Sequence, residues 1–221
     1  MAVIIQDRLV NVRAGNVQLQ GNLRIPPAAD GIVVFAHGSG SGRLSPRNRF
    51  VADVLVKTGL ATLLIDLLTQ EEEMIDLETA ELRFDIRLLA ERLGGVTDWV
   101  AGEPSTAGLA IGYFGASTGA AAALIAAADR PKTVRAIVSR GGRPDLAASA
   151  LRRVRQPTLL IVGGDDDVVI QLNRQALQEL GGTKQLVIIP GATHLFEEPG
   201  ALEQVAALAS EWFRRYLEGE P

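Results

Sequence analysis

The sequence predicts an α/β fold, a mostly parallel, doubly wound sheet with an N-terminal antiparallel hairpin. Three observations carry this. Short, nearly continuous apolar runs recur along the 221 residues, and runs without polar alternation mark strands covered on both faces. Stretches of helical spacing lie between them, and such strand–helix alternation implies parallel strands joined by right-handed crossovers. The one region that does alternate, "RLVNVRAGNVQLQGNLRI", opens the chain and turns at "AGN", as a hairpin does.

In chain order, the strand candidates after the hairpin are "GIVVFA" (31–36), "LATLLID" (60–66), "LAIGYF" (109–114), "VRAIVS" (134–139), "PTLLIV" (157–162) and "KQLVII" (184–189). Helical stretches fall near 46–58, 80–101, 118–129, 145–152, 170–180 and 200–217. In "RFDIRLLAERLGGVTDWV" the spacing sets Phe84, Leu88 and Leu89 on one side. The last helix carries Trp212, Phe213 and Tyr216, which are assigned to core packing; oligomeric state has no sequence signature here. Length and a hydrophobic content of 47% fit a single domain over 1–221, with neither an internal repeat nor a low-complexity linker.

Bulk chemistry excludes several function classes. A net charge of -4 argues against nucleic-acid or anionic-membrane binding. The absence of cysteine removes disulfides, thiolate metal sites and a cysteine nucleophile together. No apolar run has the ~20 residues that span a bilayer. "MAVIIQDRLV" lacks the basic and apolar regions of a signal peptide. The expectation is a cytoplasmic protein.

Ligand sites of such sheets lie at the carboxyl ends of the strands, so the residues that follow each strand matter most. They are "HGSGSGR", Asp66, "GASTG", "SRGGR", "GGDDD" and "PGATHLFEEPG". A serine, an aspartate and a histidine occur there in the order that a Ser-Asp-His hydrolase requires. Ser117 is flanked by Gly115 and Gly119 at a strand-to-helix corner. With 23 glycines and eight serines in the chain, random order would give roughly 0.08 matches to G-x-S-x-G. A nucleophile elbow needs small residues on both sides because its serine sits in a strained turn. The following helix aims its N-terminus at developing negative charge. Of the two histidines, His194 follows the last strand, and a neutral imidazole can take a serine proton at neutral pH. One of Asp165, Asp166 and Asp167 should orient that imidazole; sequence physics does not choose among them.

The loop "FAHGSGSGR" has two readings. In one, the Ser39 backbone N–H joins that of Thr118 in an oxyanion hole, and His37 is a structural turn residue. In the other, the glycines at 38–42 cradle a dinucleotide and Asp66 holds a ribose. That reading implies an oxidoreductase and leaves Ser117 and His194 unexplained.

On these residues the chain resembles the α/β-hydrolases, and within them the small dienelactone-hydrolase-like esterases without a large cap domain. The matching segments are "VVFAHGSGSGRLSPRNRFVADVL", "ATLLIDLLTQEEE", "GYFGASTGAAAAL", "TLLIVGGDDDVVI" and "IPGATHLFEEPGAL". The resemblance implies an acid in G-x-x-D-x-x-V spacing. Gly163, Asp166 and Val169 fit it, placing Asp166 first and Asp167 second. Dienelactone hydrolases carry cysteine where this chain has Ser117, so the resemblance implies a serine carboxylesterase. The expected site is therefore Ser117, His194 and Asp166 with the Ser39 and Thr118 N–H groups, acting on a small-molecule ester without metal or organic cofactor. An acyltransferase or thioesterase would use the same groups. Three secondary expectations follow. The connection 67–80 could partly cover the site. Arg43, Arg47 and Arg49 could attract an anionic substrate or simply form charged surface. Leu195 and Phe196 either line an acyl pocket or anchor the His194 loop.

Overall fold

A computed structural model describes residues 5–218; part of the N-terminal segment read for a leader, residues 1–4, lies outside them. One eight-stranded sheet organises the chain. Its strands are β1 (Gln6–Ala14), β2 (Val17–Ile25), β3 (Gly31–Ala36), β4 (Ala61–Ile65), β5 (Ala110–Ala116), β6 (Val134–Arg140), β7 (Thr158–Gly163) and β8 (Lys184–Ile189). Their spatial order is β1-β2-β4-β3-β5-β6-β7-β8. β1 pairs antiparallel with β2, and β2 antiparallel with β4. All later pairings are parallel. The alternating residues of the hairpin bury every second side chain near its turn, whereas β3, β4 and β7 are buried throughout. The apolar runs without alternation are thus the strands covered on both faces.

Among the described residues, six α-helices flank the sheet: α1 (Pro46–Lys57), α2 (Gln70–Thr79), α3 (Ile86–Gly102), α4 (Thr118–Asp129), α5 (Asp167–Glu179) and α6 (Ala201–Leu217). The core divides accordingly. On one face Leu93, Val96 and Val100 of α3 join the alanines and Leu124 of α4, with Ala176 from α5. On the other, Val51 and Leu55 of α1 meet Val205, Ala209 and Phe213 of α6. Trp212 belongs to that second core at 6% exposure, and Tyr216 packs at its edge.

Two expectations are corrected. The helix read over 80–101 is two elements with a short 3-10 turn, Leu82–Phe84, before α3. Phe84 is therefore outside the helix and 57% exposed, while Leu89 is buried. The preceding connection is itself the helix α2, started by a reciprocal cap in which Thr69 accepts from the Glu72 N–H and Glu72 from the Thr69 N–H. Second, the segment read as helix at 145–152 is 3-10 turns over Pro144–Arg153, broken at Ala148, whose φ is 44°.

The carboxyl ends of β3 to β8 all open on one side, as parallel pairing requires. This edge carries His37, Asp66, Ser117, Gly141, Asp166 and His194 within a few residues of their strand ends.

Candidate active site

Ser117 sits between β5 and α4 with φ 49° and ψ -121°, a conformation sterically costly for a residue with a side chain. Its backbone is fixed on two sides. The Ser117 N–H donates to the Arg140 carbonyl at 3.2 Å, and the Ser117 carbonyl accepts from the Arg143 N–H at 3.1 Å. The flanking glycines are obligatory for space. A Cβ at Gly115 would stand 2.4 Å from the Cα of Ala120; one at Gly119 would stand 2.2 Å from the Ala36 carbonyl oxygen. Ser117 is the N-cap of α4, yet its side chain makes no capping bond, so the hydroxyl remains free at the positive end of a helix.

His194 lies on the loop between β8 and α6. Its Nδ1 is 2.6 Å from Asp166 Oδ2. A carboxylate only accepts, so Nδ1 carries the proton and Nε2 keeps its lone pair. Asp166 comes from the turn after β7, at the N-cap of α5, and makes no capping bond of its own. Its neighbours Asp165 and Asp167 are exposed. The histidine loop is tied down by Phe196, which is 1% exposed and sits in the core beside α6, whereas Leu195 lines the cavity. Gly141 packs beneath the ring, 3.4 Å from His194 Cε1 measured at an added Cβ.

Ser117 and His194 line one cavity of about 210 Å³ together with Gly38, Ser39, Ser41, Arg47, Ala116, Arg140 and Leu195. The structure thus brings Ser117, His194 and Asp166 to one place, joining the last two directly; no hydrogen bond spans Ser117 and His194 at rest. The loop after β3 docks onto the elbow through Ser39, whose N–H donates to Thr118 Oγ1 at 2.9 Å. One expected oxyanion donor is therefore engaged with a hydroxyl in the resting state. Thr118 itself opens α4, where the first N–H groups have no intrahelical acceptor.

His37 is half-buried and holds this loop. Its Nε2 accepts from the Leu67 N–H at 3.0 Å, and Nδ1 lies 3.0 Å from the Gly38 carbonyl. Burial pushes its pKa below the ordinary histidine value. Asp66, the ribose candidate, instead accepts from the Arg43 N–H at 2.6 Å and pairs with the Arg43 guanidinium. The arginine group of the sequence is split: Arg43 and Arg49 line a separate cavity with Asp7 and Asp53, and Arg47 alone enters that of Ser117. The helix α2 stands over another cavity, where Glu73, Asp76 and Leu77 face His37 to Ser41. Arg140 is the residue at this edge that sequence reasoning missed; "SRGGR" shows a charge after a strand, but not its burial.

Comparison with known proteins places these features in context. The family model of the dienelactone hydrolase family matches residues 19–218. A crystal structure of a dienelactone hydrolase from Anabaena variabilis is 66% identical, covers 97% of this chain and 99% of that one, and superposes with a TM-score of 0.96. An esterase from Pyrococcus furiosus, 15% identical with a TM-score of 0.74, covers 96% of this chain and 94% of its own and shares the fold. A Mycobacterium tuberculosis protein named provisionally as a phosphoribosyl transferase is 60% identical over 215 residues, 97% of this chain and 48% of its own. The chain spans about half the length of the curated relatives it matches.

Proposed function

The chain belongs to the dienelactone hydrolase family and has the α/β-hydrolase fold, and we propose that it is a hydrolase that cleaves small carboxylic esters through Ser117, His194 and Asp166. The observation that carries this reading is a serine in a strained elbow sharing a cavity with a histidine already oriented by a carboxylate. The transferase name belongs to a longer relative, of which this chain matches 48%.

The chemistry runs in two steps. His194 Nε2 takes the Ser117 proton as Oγ attacks the ester carbonyl carbon. The negative charge that forms on the carbonyl oxygen is met by the Thr118 N–H and, once it leaves Thr118 Oγ1, by the Ser39 N–H. Loss of one such donor costs ~3 kcal/mol of barrier. The imidazolium, held in its tautomer by Asp166, gives its proton to the leaving alcohol. A water then attacks the acyl-serine with His194 again as base, and the acid leaves as Ser117 regains its proton. A cavity of about 210 Å³ suits short acyl chains, being smaller than typical drug-sized sites. A fluorophosphonate probe tests the reading: wild-type protein should be labelled and Ser117→Ala should not. Failure of the wild type to label, with no turnover of p-nitrophenyl acetate, would refute it.

A further inference from the structure

Asn173 is the one polar residue among those that α5 buries, and the hydrolytic steps make no use of it. It stands two turns into the helix from the N-cap, Asp166, and has no exposed surface. Its Nδ2 donates to the Val169 carbonyl one turn back at 2.8 Å, and across to the Gly142 carbonyl at 3.0 Å. Only the NH2 end of an amide can meet two carbonyls, and the Oδ1 end is left buried without a partner. The neighbours of Gly142 touch the rest of the triad. Gly141, held at φ 52°, donates its N–H to the Ile161 carbonyl on β7 at 2.8 Å and packs beneath the His194 ring. The Arg143 N–H donates to the Ser117 carbonyl at 3.1 Å. Gly142 itself has no room for a side chain, because Ser139 Oγ stands 2.0 Å from where its Cβ would be.

A buried acceptor left unmet is costly, and a leucine, of the same branched shape, would stand here without that cost. Among the described residues, Asn173 makes the only side-chain hydrogen bond from α5 to the segment Gly141–Arg143. We propose that Asn173 is a positioning residue that acts through Asp166. Its amide fixes α5, and with it the acid at the start of that helix, against the segment that holds Ser117. Acid, imidazole and nucleophile are then all placed from one point, the Gly142 peptide. Such a tie matters because no hydrogen bond joins Ser117 to His194 at rest, so the surrounding backbone sets how closely Nε2 approaches Oγ. A misplacement of about 1 Å at a catalytic centre costs about 100-fold in rate, and sites of this kind depend on the polar contacts behind them to hold their geometry. This inference rests on the hydrolase reading of the same site.

The test is a double-mutant cycle on the hydrolysis of p-nitrophenyl acetate. Asn173→Ser is too short to reach the Gly142 carbonyl but keeps a bond one turn back. Asn173→Leu keeps the branched shape and loses both bonds. One variant is smaller than asparagine and the other slightly larger, so a loss common to both reports the missing bond and not the packing. In the wild-type background each should lower kcat about 10- to 100-fold, with KM within about twofold. In the Asp166→Asn background each should change kcat by less than about threefold, because the loss runs through the acid and residues that act as a unit are not additive. Wild-type kcat in either variant overturns the inference. The same fractional loss in both backgrounds also overturns it, since a general loosening of the fold acts that way. Should one variant fail to fold, the other decides. A second readout needs no substrate: the His194 Nδ1 proton, held between that nitrogen and Asp166, gives a downfield proton resonance, which both variants should displace. If no ester is turned over by the wild type, the hydrolase reading fails and this resonance decides alone. Displaced, it upholds the positioning role; unmoved, it overturns it.

Discussion

Gly119→Ala is a one-carbon change that tests how tightly the elbow is fitted. A Cβ at 119 would lie 2.2 Å from the Ala36 carbonyl oxygen and 2.4 Å from that of His37. Carbon and carbonyl oxygen rest at about 3.3 Å even in weak hydrogen-bonded contact, so the two segments must part by about 1 Å. Both obstacles are backbone at the end of β3, and no rotamer change relieves them. The parting opens the seam where the Ser39 N–H meets Thr118 Oγ1 and moves the proposed Ser39 oxyanion donor away from Ser117. Overpacking of this kind costs about 1–3 kcal/mol of stability, and a misplacement of about 1 Å at a catalytic centre costs about 100-fold in rate. Urea denaturation and kcat/KM on p-nitrophenyl acetate read the two effects separately. Gly102→Ala is the control: its Cβ meets nothing within 4 Å, so stability should stay within about 0.5 kcal/mol and the rate should hold. A Gly119→Ala enzyme that folds and turns over within threefold of wild type would refute the argument that this contact positions the site.

Asp166→Asn should lower kcat by about 1,000- to 10,000-fold through loss of the productive histidine tautomer, while Asp165→Asn and Asp167→Asn stay within threefold; equal losses would put the acid elsewhere. Phe196→Ala removes the core anchor of the His194 loop and should cost about 3–5 kcal/mol in a denaturation experiment, so wild-type stability would show that the loop is held by other contacts. Burial lowers the His37 pKa, so the unfolded chain binds that proton first as pH falls. The contribution of His37 to stability is therefore full above its ordinary value of 6.5 and declines below it, by up to ~1.4 kcal/mol per pH unit. In unfolding measured between pH 7.5 and 5, His37→Asn should lose less stability than wild type, and parallel curves would exclude this residue as the source.

The strands were legible because burial on both faces leaves an unbroken apolar run. β3, buried throughout, falls where the run "GIVVFA" stands, whereas β8, at "KQLVII", is a half-buried edge strand that kept its apolar run. The helix α2 was not, because it buries only Asp76 and so has no apolar stripe for a periodicity argument to find. Its start was nevertheless written in "TQEE", a capping box, and reading it would have detached Phe84 from α3. The kink at Ala148 has no turn residue to announce it. At the site, Ser117 and His194 stood out because few residue types can do their chemistry and each follows a strand. Arg140 did not, because only the sheet register reveals that a charge at the end of β6 is enclosed. The converse holds for Arg43, Arg47 and Arg49, adjacent in sequence and separated by the fold into paired and unpaired positions.

The helix caps distinguish structural from functional edges of this sheet. Ser45, Thr69 and Asp85 cap α1, α2 and α3 with their side chains, as these residue types ordinarily do, each for about 1 kcal/mol. Ser117 and Asp166 occupy the same position on α4 and α5, are of the same capping types, and withhold their side chains. The fold therefore forgoes two caps at neighbouring strand ends and adds a strained φ at Ser117 and a buried unpaired guanidinium at Arg140. Local stability is given up at four points that converge on one cavity or on the histidine that lines it. Chance would scatter such losses along the edge; their convergence is what a site selected for reactivity rather than stability would produce.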